Sequence, residues 1–244
     1  MANQLRLGTK DVHVWRASLD QTPAIVEQLR QLLSADEHIR ANRFHFEKDR
    51  QHFVVGRGCL RMLLSRYLEI PPGEIQFSYG AQGKPQLANA QLNPFHFNLA
   101  HSGTLALYAF TRVGEIGVDL EQIRPEFTGD DIAKRFFSPG EVACLNKLSR
   151  DLRHQAFFNC WTRKEAFIKA IGMGLSLSLD QFDVTLGPAE PAELLRTRWN
   201  EKEAARWSLK ALDVDPGYVA ALAVAGRNWQ LTFLDVDKVL FKLD

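Results

Sequence analysis

The sequence predicts an α+β fold assembled as a pseudo-twofold duplication: two similar α+β halves with a cleft between them. Three observations predict it. Two segments match without a gap when one is shifted by 104 positions, so that Ser34-Ala-Asp-Glu37 falls on Ser138-Pro-Gly-Glu141 and Phe53 on Phe157. In the same shift Gly56-Arg57-Gly-Cys-Leu60-Arg61 falls on Cys160-Trp161-Thr-Arg-Lys164-Glu165. Finally, Gly103–Phe110 resembles Gly217–Val224, each an apolar run of strand length after a turn.

The elements follow in order. Ser34 and Ser138 each stand three residues before a glutamate, the capping-box spacing that starts a helix. Apolar residues at three- and four-residue intervals predict a second, longer helix in each half, over 50–68 and 154–171. Residues 95–100, 105–110, 115–120, 207–213 and 218–224 have the composition of strands. Gly187-Pro-Ala-Glu-Pro191 breaks both periodicities and reads as a surface loop. The halves are residues 1–112 and 113–244, joined without a Pro/Gly/Ser linker.

A chain of 244 residues, 45% hydrophobic, can bury one large core or two small ones. Thirty basic against twenty-nine acidic residues leave a net charge of +1, which excludes a global field drawing nucleic acid or an anionic membrane. Any phosphate site must be local. The N-terminus lacks the apolar core of a signal peptide, and no stretch approaches the roughly eighteen apolar residues of a membrane span, so the chain reads as cytoplasmic. Cys59, Cys144 and Cys160 lie far apart without C-x-x-C spacing and are expected to be core thiols, not a disulfide or zinc set.

Three constellations carry chemistry. In Gly117-Val118-Asp119-Leu120-Glu121, strand alternation sends Asp119 and Glu121 to one face and Val118 and Leu120 to the other. Carboxylates two apart on a strand are separated by roughly 6–7 Å at the backbone, close enough to share one hard cation such as magnesium. The same pattern also describes a solvated strand face. In Trp161-Thr-Arg-Lys164-Glu165-Ala-Phe-Ile-Lys169, positions 161, 165 and 169 fall near one helix face, so Glu165 and Lys169 are neighbours. Apolar Ala166, Phe167 and Ile168 beside them argue against a plain surface ion pair. The third group joins Gly83-Lys84-Pro85, Arg40 and Asn98-Leu-Ala-His101-Ser102-Gly103. It suits phosphate, through close backbone approach at Gly83, the Lys84 cation, the planar fork of Arg40 and the His101 ring.

Together these motifs resemble the phosphopantetheinyl transferases, in particular the longer surfactin-synthetase-activator type whose single chain contains two similar halves. The resemblance runs from position 34 to 224: G-K-P at 83–85, N-L-A-H-S-G at 98–103, G-V-D-L-E at 117–121, F-F-S-P-G-E at 136–141 and W-T-R-K-E-A-F-I-K at 161–169, in order. It implies transfer of the phosphopantetheine arm of coenzyme A to a serine of a carrier protein. It implies magnesium, with manganese as the alternative, held by Asp119, Glu121 and Glu165. Glu165 would act as metal ligand, as the base that draws the proton from the serine, or as both, with a metal-bound water as the alternative base, and Lys169 would stabilise charge on the pyrophosphate or leaving nucleotide. Arg40, Gly83, Lys84, Pro85, Asn98 and His101 would bind coenzyme A, and Trp161 would pack to fix the helix. The chain departs from the family pattern at Ala100, where serine is common, and at Glu37, where a basic residue is often found, leaving Arg40, helped by Arg57, to supply charge. A carrier protein would dock near Phe136, Phe137 or the helix starting at Ser138, and one chain with both halves would work as a monomer. A non-catalytic module binding coenzyme A or a carrier, and a magnesium-dependent nucleotide hydrolase, are the readings of other classes.

Overall fold

The computed structural model describes residues 5–80, 82–88, 95–124, 126 and 129–241. The first half runs β1 (Asp11–Ser18), α1 (Pro23–Arg30), α2 (Ala35–Ala41), α3 (Glu47–Leu68), the short hairpin β2 (Phe77–Tyr79) and β3 (Pro85–Leu87), then β4 (His96–Ser102) and β5 (Leu105–Thr111). The second half repeats that order with β6 (Ile116–Gln122), α4 (Asp130–Phe136), α5 (Pro139–Lys147), α6 (Arg150–Ile171), β7 (Phe182–Val184), β8 (Leu194–Thr197), β9 (Trp207–Leu212) and β10 (Tyr218–Ala225). The chain ends on β11 (Gln230–Asp235) and the short α7 (Val236–Val239).

The sheets carry the duplication in their topology. One sheet has the order β11-β1-β5-β4 and the other β6-β10-β9. Counted within each half, β1-β5-β4 and β6-β10-β9 are the same arrangement of first, last and next-to-last strand. β11 does not remain with the second half. It pairs in parallel with β1, from Asp11 against Gln230 to Arg16 against Asp235. Arg16 fastens the crossing by bonding both Asp215, at 2.6 and 2.7 Å, and Asp235.

Alternation on the central strands sorts three apolar layers. Ala106, Tyr108 and Phe110 of β5 face α3, while Val219, Ala221 and Ala223 of β10 face α6. The alternate residues Leu105, Leu107 and Ala109 meet Ala220, Leu222 and Val224 in a layer shared by both sheets. Buried on both faces, β5 and β10 therefore read as unbroken apolar runs.

Both predicted capping boxes form, and each glutamate does more than cap. Glu37 accepts from Ser34 N–H at 3.0 Å and from Arg61 Nε at 2.6 Å, whereas Glu141 accepts from Ser138 N–H at 2.9 Å and from Lys164 Nζ at 2.8 Å. Arg61 also donates to the carbonyls of Pro72 and Ile75 and lies over the Phe77 ring, and Lys164 donates to the carbonyls of Leu179 and Phe182 and lies over the Phe182 ring. Arg61 and Lys164 are thus counterparts.

That equivalence corrects the gap-free shift of 104. Glu37 to Glu141 is 104 positions, but Arg61 to Lys164 is 103, and α3 and α6 likewise begin 103 apart at Glu47 and Arg150. One residue is dropped between capping box and long helix. The overlay of Gly103 on Gly217 slips similarly: it puts Tyr108 on Leu222, which faces the other way, because a one-residue shift in a strand exchanges its faces. Two further expectations change. Cys59 and Cys160 are buried but Cys144 is exposed on α5. Phe137 is a core residue, 4% exposed and stacked on Phe157, and so offers nothing to a partner.

Candidate active site

The site lies where α6 passes over β6. Ile116, Val118 and Leu120 of β6 go to the layer between the sheets, which turns Gly117, Asp119 and Glu121 toward α6. The reason for glycine at 117 is contact: a Cβ there would lie 2.1 Å from the Ala166 carbonyl oxygen and 2.4 Å from the Ala170 nitrogen. This close approach brings the Glu165 and Lys169 side of the helix to the acidic strand.

Lys169 Nζ donates to Asp119 Oδ1 at 2.6 Å, and Asp119 is 4% exposed. Its second oxygen, Oδ2, is buried with no hydrogen-bond partner. Burial pushes the Asp119 carboxyl up to about 7 against the pull of Lys169, with Glu121 and Glu165 adding to the rise. Glu165 is raised too, by burial first, with Lys169 opposing and Glu121 adding. For Lys169, burial works against the charge, but Asp119 and then Glu165 and Glu121 outweigh it and raise its proton affinity. Glu121 accepts from Ser102 Oγ at 3.1 Å, while Glu165 accepts no hydrogen bond among the described residues.

The partner that reaches Asp119 is Lys169, not a second carboxylate, and among the described residues no three His, Cys, Asp or Glu side chains form a closed metal-ligand group. The donor set nevertheless fits a hard divalent ion. Glu121 and Glu165 disfavour the charge on Asp119, one oxygen is orphaned in a buried place, and oxygen is the donor that magnesium prefers.

Beside this seam opens a cavity of about 560 Å³ walled by both halves. Arg40, Gly83, Lys84, Pro85, Asn98 and His101 all line it, together with Lys169. Arg40 is exposed, lies over the Phe53 ring at 5.2 Å and makes no ion pair among the described residues, so its charge is free for an anion. His101 opens to solvent through the mouth; crowding by the walls, then Lys169 and His52, keep its imidazole below the ordinary value, with Glu121 opposing. Gly83 has φ +73°, the left-handed region that favours glycine, and nothing approaches the position of a Cβ.

Two of the six are held differently from expectation. Lys84 Nζ donates to the Lys169 carbonyl at 2.6 Å and the Ile116 carbonyl at 3.3 Å, binding the first half to the end of α6 and the start of β6. Burial pulls its ammonium down to about 8, Glu115 opposing and Lys169 adding. The Asn98 side chain is likewise engaged, its Oδ1 accepting from Val118 N–H at 2.9 Å. Arg57 is both core and lining: it is 9% exposed, sits over the Phe77 ring at 5.0 Å and borders the cavity. Sequence reasoning missed Phe44, His52 and Gln82 in the walls. Gln82 adjoined the G-K-P motif, and the spacing of His52 and Phe53 on α3 placed them on one helix side with Gly56, but neither pattern separates a cavity wall from a core face.

Two family descriptions match the chain, that of the 4'-phosphopantetheinyl transferase N-terminal region over residues 14–112 and that of the 4'-phosphopantetheinyl transferase superfamily over residues 115–223. Over 230 residues, 94% of either chain, it is 42% identical to the 4'-phosphopantetheinyl transferase HetI of Nostoc sp.. The chain belongs to the 4'-phosphopantetheinyl transferase superfamily. This transferase is also 32% identical to the 4'-phosphopantetheinyl transferase Sfp of Bacillus subtilis, across 88% of its own length and 92% of that protein's. Among solved structures it resembles the holo-[acyl-carrier-protein] synthase of Helicobacter pylori in complex with coenzyme A, with 21% identity and a TM-score of 0.34 over 46% of this chain and 99% of that one. Among the transferase's described residues no helix is long and apolar enough to cross a membrane.

Proposed function

We propose that the transferase moves the 4'-phosphopantetheine group of coenzyme A onto a serine of an apo acyl, polyketide or peptidyl carrier protein, leaving the holo carrier and adenosine 3',5'-bisphosphate. The observation that carries this reading is a cavity built from both halves, where a free cation at Arg40 and an imidazole at His101 share walls with Lys169. The nucleotide end of coenzyme A is assigned to Arg40, Gly83, Pro85 and His101, with Asn98 and Lys84 holding the wall in place. The pyrophosphate is assigned to the Lys169 end.

Asp119, Glu121 and Glu165 would hold Mg²⁺, with Mn²⁺ the alternative, and a divalent ion there supplies neutralisation of phosphate charge. The serine oxygen forms a bond to the phosphorus that carries pantetheine, and the bond from that phosphorus to the bisphosphate oxygen breaks. The serine proton passes to Glu165, whose carboxylate accepts no hydrogen bond among the described residues and is free to take it. The Lys169 ammonium, kept charged by Asp119, stabilises the negative charge that builds on the leaving phosphate. Because one chain supplies both walls of the cavity, the transferase is assigned as a monomer.

Intact-mass measurement of an apo carrier protein incubated with the transferase, coenzyme A and magnesium tests the reading. The expected result is a gain of one phosphopantetheine group that chelator prevents. Release of free phosphopantetheine with no gain on the carrier would assign a hydrolase, and binding of coenzyme A without either product would assign a binding module.

A further inference from the structure

We propose that Ser102, the last residue of β4, is a positioning residue for Glu121, supplied by the first half to the metal site of the second. The inference rests on the reading that Asp119, Glu121 and Glu165 hold a divalent cation. Ser102 Oγ accepts from the Gln122 N–H at 3.0 Å and donates to Glu121 Oε2 at 3.1 Å. The direction of both bonds is fixed: a backbone N–H can only donate, so the single hydroxyl proton goes to the carboxylate. One oxygen of Glu121 is therefore tethered, and Oε1 is the one left to face a cation.

The tether is itself rigid. Ser102 precedes Gly103, which has φ +56° and where a Cβ would lie 2.5 Å from Gln122 Oε1 and 2.6 Å from the Tyr218 hydroxyl. That hydroxyl accepts from the Thr104 N–H at 3.2 Å. The β4–β5 turn is thus clasped by residues of β6 and β10, and the serine hydroxyl cannot drift from Glu121. A glutamate on a half-open strand end otherwise samples several rotamers, and ordering it costs free energy each time a metal binds. Partners in this outer position change metal affinity by about 10–100-fold.

The test is a titration of the full chain with Mn²⁺ alone, following free Mn²⁺ by electron paramagnetic resonance, on wild type, Ser102→Ala, Ser102→Thr and Asp119→Asn. Ser102→Ala is expected to weaken Mn²⁺ binding about 10–100-fold with an unchanged melting curve, and Ser102→Thr, which keeps the hydroxyl, to restore it. If Ser102→Ala loses its fold, Ser102→Cys, which keeps the shape and weakens the donor, is expected to show the same weakening. Wild-type affinity in Ser102→Ala or, in that event, in Ser102→Cys, alongside binding abolished by Asp119→Asn, overturns the inference and leaves the metal site standing. Binding that is absent from wild type, or indifferent to Asp119→Asn, overturns the metal site and the inference with it.

Discussion

Lys169 Nζ stands 2.6 Å from Asp119 Oδ1, across the join between α6 and β6, while the other Asp119 oxygen is buried without a partner. The pair holds a carboxylate that burial alone would neutralise. Lys169→Met should leave that carboxyl unpaired, costing about 1–3 kcal/mol of stability and nearly all transfer. Adding Asp119→Asn should recover much of the stability and none of the activity. Urea denaturation of the single and double variants, alongside product formation, checks both; a double variant less stable than Lys169→Met would refute the pairing.

Lys164 is fully buried and bonds Glu141 at 2.8 Å, with no route for water to replace either group. Removing one partner of such a pair typically costs about 3–5 kcal/mol, so Lys164→Met should lower the urea midpoint by a large fraction of its value. Arg61→Met should do the same in the first half. If either midpoint stayed at the wild-type value, the duplicated pairs would not be structural supports.

Gly117→Ala tests the contact that brings helix to strand. The atoms its Cβ would meet are backbone on both counts, at 2.1 and 2.4 Å, so α6 must move. Overpacking of this kind costs about 1–3 kcal/mol in stability. The loss of turnover should be larger than that, since Glu165 and Lys169 ride on the displaced helix. Comparing the melting curve with turnover at saturating coenzyme A separates the two effects.

His13 gives a pH dependence with a definite sign. Its Nδ1 lies 2.7 Å from the Tyr67 hydroxyl, which also accepts from Trp15 Nε1 at 2.8 Å. Burial lowers the folded value below 6.5, with Asp11 opposing. The unfolded chain therefore binds the proton more readily, and the contribution to stability is full above 6.5 and lost as pH falls through the lower folded value. Thermal melting at neutral and mildly acidic pH should show a smaller acid loss in His13→Gln than in wild type. An equal loss in both would remove His13 from the account.

Much of this was legible in the sequence because the signals were local. The capping boxes at Ser34 and Ser138 and the alternation at Asp119 and Glu121 each depend on residues a few positions apart, and the long helices needed only three turns of periodicity. Arg40 and His101 were grouped in the sequence with Gly83-Lys84-Pro85 as suited to phosphate, and both line the cavity. What stayed hidden was set at a distance. β11 meets β1 across more than two hundred residues, and three-residue strands such as β2 and β7 are too short to show alternation. Lys84 could be recognised as a cation but not as a clamp, because its partners are the carbonyls of Lys169 and Ile116, which no side-chain pattern announces.

The most direct test of the account is Glu165→Gln, assayed for phosphopantetheine transfer and for binding of coenzyme A and of Mn²⁺ on the same preparation. The account predicts coenzyme A binding close to wild type and transfer reduced by about 10²–10⁴-fold, the usual worth of a general base. A Glu165→Gln enzyme that kept most of its turnover while still binding metal would contradict it, and would return the serine proton to some other acceptor.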